Sequence, residues 1–224
     1  MMLKWIVISV AILISACQPI HQTTPTAPAD STAEAAVGTT TGETNNLWTE
    51  TEMDGVRLGM PMPHGWTAET RDGLILVEHM SSIATEEPAS GILVYIFVPQ
   101  LDHFNLPDPE VDNAALAVLR QVVNMPHEIG HNAVASEPVP FVWSDHQAAY
   151  YLLSNHDGIK TIVIAVELPE VRKLVVCNIS LPSNQIDRVR ALLPTVLDGL
   201  TLNGLRLSGD DLNVLPDPLI FPLS

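Results

Sequence analysis

Positive charge is scarce in this chain. Ten lysines and arginines stand against 26 aspartates and glutamates, giving a formal net charge of −16 over 224 residues. So acidic a surface argues against nucleic acid and against anionic lipid headgroups as partners, because both repel it. It suits an exported protein that must stay in solution, and it would attract cations or a basic protein partner. Cysteine is scarcer still, with only Cys17 and Cys177. No paired-cysteine motif can be built from them. No G-x-S-x-G elbow, Walker loop or G-x-G-x-x-G after a strand is present, so the familiar hydrolase and nucleotide-binding templates are missing. The apolar run at residues 5–14 is interrupted only by Ser9. It is too short to cross a bilayer as a helix, which takes about 20 residues.

What precedes and follows that run gives it another meaning. Lys4 supplies a positive start, residues 5–14 (WIVISVAILI) are the apolar stretch, and Ser15 and Ala16 are small residues ahead of Cys17. This is the layout of a secretory signal. The tetrapeptide Ile14-Ser15-Ala16-Cys17 resembles the lipobox of bacterial lipoproteins. The resemblance implies removal of residues 1–16, lipid on Cys17, and a mature chain tethered to a membrane through that lipid. Gln18 is not the aspartate that retains enterobacterial lipoproteins in the inner membrane. The expected location is the outer face of the cell membrane, or the periplasmic side of an outer membrane where the host has one. Residues 17–46 are rich in Thr, Ala and Pro, with Ile20 their only large apolar residue. They cannot bury enough surface to offset their ordering entropy, which predicts a disordered, semi-extended stalk. With Cys17 lipidated, Cys177 has no disulfide partner. In the run KLVVCNISL it reads as a small buried hydrophobe.

Residues 47–205 are enough for one domain with its own core. Residues 53–63 read as a strand, and His64-Gly65-Trp66 as a turn into a second. Asp72-Gly73 signals a hairpin into a strand at 74–79. The apolar run at 91–99 (GILVYIFVP) reads as a central strand. Asp108 as N-cap and Pro109 at the first helical position predict a helix. Its apolar face is Val111, Ala115, Val118, Leu119 and Val122. Strands return at 139–142, 147–154, 159–168 and 173–181, the last two adjacent and antiparallel. Ser183 is expected to cap a second helix with Ile186, Val189, Leu193 and Val196 on its apolar face, and Pro194 should bend it or end it early. A short strand at 200–202 completes the domain, Gly204 ends it, and residues 206–224 form an apolar, proline-broken tail. There is no β-α-β alternation. The order predicts an α+β domain, a mainly antiparallel sheet flanked by two helices.

The opening stretch GVRLGMPMPHGWTAETRDGLILVEH runs strand, Pro-x-Gly-Trp turn, strand, hairpin. It resembles the start of domains related to the photosystem protein PsbP, the nuclear import factor Mog1 and the lipoprotein DcrB. The proline-containing helix followed by Leu197-Asp198-Gly199-Leu200-Thr201-Leu202 resembles their close. The resemblance spans Val56 to Leu202. It implies a sheet flanked by helices, used in accessory and binding proteins, and carries no common functional residues.

One motif promises chemistry. His127-Glu128-Ile129-Gly130-His131 matches H-E-x-x-H, the zinc helix of many metallopeptidases. Histidines four apart on a helix can share a Zn²⁺ while the glutamate activates its bound water. The surroundings oppose it. Pro126 makes any such helix start at the motif, Pro138 bounds the other end, and Gly130 weakens the middle. The metzincin extension would need glycine at 134 and histidine at 137, where the chain has Val134 and Glu137. Glu167 and Glu170, the alternatives for a third ligand, flank a strand turn. Residues 126–138 are therefore expected to be a loop, with no metal and no catalytic residues. A second arrangement would gather His127, His131, Asp145 and His146 at one end of the sheet around Zn²⁺ or Cu²⁺. Solvated loop histidines are the expected alternative. Trp48, Trp66, Trp143, Tyr150 and Tyr151 read as core or strand-face residues.

The expectation is a membrane-anchored lipoprotein whose domain is a non-enzymatic accessory or binding module without a cofactor, taking a small ligand or a protein partner. The alternatives are a membrane-tethered zinc peptidase using His127, Glu128 and His131, and an interaction lipoprotein that docks a partner on its acidic surface.

Overall fold

A computed structural model describes residues 48–78, 91–106, 113–130 and 132–223, without the side chains of Pro126 and His127. Cys17 and the expected leader and stalk lie outside the described residues. Asp54 and Gly55 take φ of 49° and 76°. They make the two-residue turn that joins strand β1 (Trp48–Met53) to β2 (Val56–Pro61), with Met53 opposite Val56. Positive φ at both central residues matches the right-handed twist of paired strands. Further along the chain come β3 (Trp66–Arg71), β4 (Gly73–Glu78), β5 (Leu93–Phe97) and helix α1 (Ala114–Val123). A one-turn helix α2 (Pro126–Ile129) leads to β6 (Ala133–Ala135), β7 (Val139–Trp143), β8 (His146–Asn155), β9 (Ile159–Leu168) and β10 (Lys173–Pro182). Helix α3 (Ile186–Val196) precedes β11 (Thr201–Leu202) and β12 (Leu205–Arg206).

The single expected sheet is two. β1, β2, β11 and β12 form a small antiparallel sheet. The large one runs β3-β4-β5-β10-β9-β8, with β7 and β6 lying one after the other along the outer edge of β8. The opening strand belongs to the small sheet, where it pairs with β1 on one side and β11 on the other. Strands β8 to β10 are buried on both faces, which is why IKTIVIAVEL is a near-continuous apolar run instead of an alternating one. Ala149, Tyr151, Val163, Ala165, Leu174 and Val176 meet Ala114, Ala115, Val118 and Leu119 of α1. The opposite face, with Leu152, Ile164 and Cys177, packs against Val189, Leu193 and Val196 of α3 and against Leu58 and Met60 of β2. Cys177 is fully buried, and burial pushes its thiol up to about 12.

Both helix starts differ from expectation. The described part of α1 begins at Ala114, where the Asn113 side chain accepts from Leu116 N at 2.7 Å. Asp108, Pro109 and Val111 lie outside the described residues. Ser183 sits in a 3-10 turn, Ser183–Gln185, ahead of α3. Its hydroxyl donates to Gly158 O at 2.6 Å, which ties the β8–β9 turn and leaves the helix uncapped by it. Pro194 lies inside α3, which continues to Val196.

The domain does not end at 205. Residues 46–224 form one compact unit. Leu207, Leu212, Leu215 and Leu219 are buried in the same core as α3. Backbone partners hold this segment down: Trp143 Nε1 donates to Ser208 O at 2.8 Å, and Ser154 Oγ to Pro222 O at 2.6 Å.

Candidate functional site

The zinc-like motif is not carried on one helix. α2 stops at Ile129, and Gly130 has left helical geometry with φ 94° and ψ 139°. His131 and the side chain of His127 lie outside the described residues. β6, which follows α2, pairs at the other end of β8 from the Asp145-His146 turn. Ala133 pairs with Asn155 and Trp143 pairs with His146, at opposite ends of β8. Nine strand rises of ~3.3 Å separate those ends by about 30 Å. The expected 126–138 loop instead contains α2 and the edge strand β6, because Ala133, Val134 and Ala135 find open backbone partners on β8.

A different carboxylate stands out. Glu167 is the one buried carboxylate among the described residues, at 6% exposure. It is the penultimate residue of β9, on the face that carries Val163 and Ala165 against α1. The N-terminus of α1 arrives beside it, and Ala114 N donates to Glu167 Oε2 at 3.1 Å. Asn113 fixes that approach by donating from Nδ2 to Ala148 O at 3.0 Å. A helix N-terminus suits a carboxylate, by about 0.3–1 kcal/mol at a surface. An ionised carboxylate has roughly four acceptor positions, and this hydrogen bond fills one of them. Burial raises the Glu167 pKa above the ordinary carboxylate value, and the Ala114 N–H only partly offsets this.

Two clefts meet at this residue. One, shallow and open to solvent, is bounded by Leu101 and Leu106, by Leu174, and by the basic residues Arg172 and Lys173. The second lies among Asp145, His146, Gln147 and Pro169. The leucine wall is anchored to α1, since Asn105 N donates to Gln121 Oε1 and Gln121 Nε2 to Asn105 O, both at 3.0 Å. Arg172 closes the β9–β10 turn at φ 52°, a backbone state uncommon outside glycine. Lys173 Nζ lies 3.7 Å from Asp54 Oδ2 in a partly exposed pair. Asp145 and Ser144 form the β7–β8 turn, with φ of 67° and 49°.

The raised Glu167 pKa has a definite sign. Folding is favoured by this group where it is protonated in both states, and that contribution is lost as pH rises through the folded-state pKa. The contribution of this group to stability therefore falls as the pH rises. Gln keeps the acceptor for Ala114 N and removes the charge. Glu167→Gln is expected to raise Tm at pH 7, and the gain should shrink as the pH falls and the wild-type side chain protonates. Calorimetric melts across that range read this directly, and a variant less stable at pH 7 would contradict it.

By its place in the sequence, Glu167 is no more than an alternative third zinc ligand beside a strand turn. The available signal was an acidic residue inside a ten-residue run that is otherwise apolar after Lys160 and Thr161. No protein-family model matches the chain, and no curated protein matches it. Among solved structures, the chain is similar to cyanobacterial PsbP (CyanoP) from Synechocystis sp. PCC 6803, with 13% identity, 71% of this chain and 94% of that chain covered, and a TM-score of 0.41. It is also similar to the Ran-binding protein Mog1p of Saccharomyces cerevisiae, with 13% identity, 64% and 82% covered, and a TM-score of 0.37. PsbP and Mog1 are two of the three proteins that the stretch from Val56 to Leu202 resembles.

Proposed function

We propose that this chain is a non-catalytic binding module, held at the outer face of a membrane by lipid on Cys17, with its ligand site in the cleft around Glu167. The observation that carries the site is the burial of Glu167 with one hydrogen bond from Ala114 N while it borders open space. A buried carboxylate beside a cleft is a common mark of a functional position. The end of α2 at Ile129, short of His131, supports the non-catalytic reading over the peptidase. The lipobox-like tetrapeptide before Cys17 supports the anchor.

Two experiments test the halves separately. Mass spectrometry of the mature N-terminus should find a diacylglyceryl-modified Cys17, and Cys17→Ala should move the protein from the membrane to the soluble fraction. A wild-type-like membrane fraction in that variant would remove the anchor. For the site, a thermal-shift screen of small metabolites on the full chain should find stabilising compounds whose effect is lost in Glu167→Gln. One zinc per chain, lost in His127→Ala, together with peptide cleavage lost in Glu128→Gln, would overturn the binding-module reading in favour of the peptidase.

A further inference from the structure

The cleft beside α1 and the β9–β10 turn is shallow and chemically uneven. At its floor is the buried carboxylate of Glu167, which has acceptor capacity beyond the bond from Ala114 N. Leu101, Leu106 and Leu174 supply an apolar wall, and Arg172 and Lys173 supply two cations. Each simple ligand class leaves one of these features opposed. A metal ion would face one carboxylate and two like charges, and among the described residues no three His, Cys, Asp or Glu side chains are grouped to hold it. A purely anionic ligand would be driven against Glu167. A purely apolar one would strip water from a buried carboxylate and give nothing back, which costs about 1–3 kcal/mol or more for a charged group.

A molecule with a cationic donor at one end, an anion at the other and an aliphatic body satisfies all three features. Resting on the reading of the Glu167 cleft as the ligand site, we infer that the ligand is a small zwitterion, an α-amino acid with an aliphatic side chain. Its ammonium donates to Glu167, its carboxylate meets Arg172 and Lys173, and its side chain lies on the leucine wall. Enclosed space in the cleft is little more than a water molecule's, so the ligand is small and lies along the open mouth with its aliphatic part on the leucine wall.

The test is calorimetric titration of the full chain with leucine and two truncated analogues. 4-Methylpentanoate lacks the ammonium, and 3-methylbutylamine lacks the carboxylate. Leucine should bind saturably, and each analogue should bind about 10- to 100-fold more weakly, the loss of one charge-assisted hydrogen bond. Glu167→Gln should weaken leucine by a similar factor and leave 4-methylpentanoate bound no more weakly than before. An Arg172→Ala/Lys173→Ala double variant should weaken leucine and leave 3-methylbutylamine bound no more weakly than before. Equal binding of leucine and 4-methylpentanoate would overturn the assignment of the ammonium to Glu167. If no aliphatic amino acid binds but another screened compound stabilises the chain in a Glu167-dependent way, the ligand class is wrong and the cleft stands. If no compound's binding depends on Glu167, both fall together.

Discussion

Arg190→Ala should destabilise the domain by about 3–5 kcal/mol, which for a chain of this length lowers Tm by roughly 10 °C or more. Arg190 is buried on α3 at 8% exposure. Its guanidinium donates from Nε to Pro216 O at 3.0 Å, and from Nη2 to Leu215 O at 2.8 Å and Asn213 O at 3.2 Å. These are backbone carbonyls of the C-terminal segment, and removing the side chain leaves them without that donor while opening a void against Leu212 and Leu215. Arg190→Lys should recover less than half of the loss, because one ammonium cannot reach three carbonyls spread over a planar fork. The loss should also be local. In Arg190→Ala, a non-specific protease should cut first within residues 207–223. Denaturant melts and mapped cleavage check both, and an unchanged melting point would mean that Arg190 does not pin the segment.

Gly209→Ala should cost about 3 kcal/mol, at the upper end of ordinary overpacking. A Cβ built on Gly209 would lie 1.7 Å from the Pro194 carbonyl oxygen and 2.7 Å from its carbon. Those are backbone atoms of α3, with no flexible side chain to give way. Gly209 N also donates to Asp198 Oδ1 at 3.1 Å, so the segment and the end of α3 must separate or bend together. Gly204 is the useful contrast. It has φ of 84° and nothing within 4 Å of a built Cβ, so alanine there meets a conformational penalty of about 1–2 kcal/mol and no clash. If the two variants melt alike, close approach is not what requires glycine at 209.

Both predictions concern a part of the chain that sequence pattern described poorly. β9 and β10 were legible to within a residue, because ten-residue apolar runs joined by a Pro-Glu turn are strong local signals. The segment after 205 has no period, being broken by Pro216, Pro218 and Pro222. Its leucines are held in place by Arg190, Trp143 and Ser154, from residues far away in the chain. β1 is legible only in hindsight. Trp-Thr-Glu-Thr-Glu-Met has alternating exposure, and pairing across Asp54-Gly55 is what makes it a strand. β6 and β11 are three and two residues long, too short for any periodic test.

The candidate site was hidden for a different reason. His127-Glu128-x-x-His131 stood out because its spacing matches a helix, but spacing cannot show that the helix stops at Ile129. Glu167 carries no motif. Its burial, its bond to Ala114 N, and its nearness to Arg172 and Lys173 come from the meeting of α1, β9 and the β9–β10 turn. A sequence scan sees one acidic residue at a strand end.

The most direct measurement is the backbone-amide NMR spectrum of the full chain, titrated with the compound that stabilises it most. The account predicts that the largest shifts fall on Ala114, Glu167, Lys173 and Leu174, and that they disappear in Glu167→Gln. Shifts concentrated on residues 127–135, with the amides around Glu167 unmoved, would contradict it.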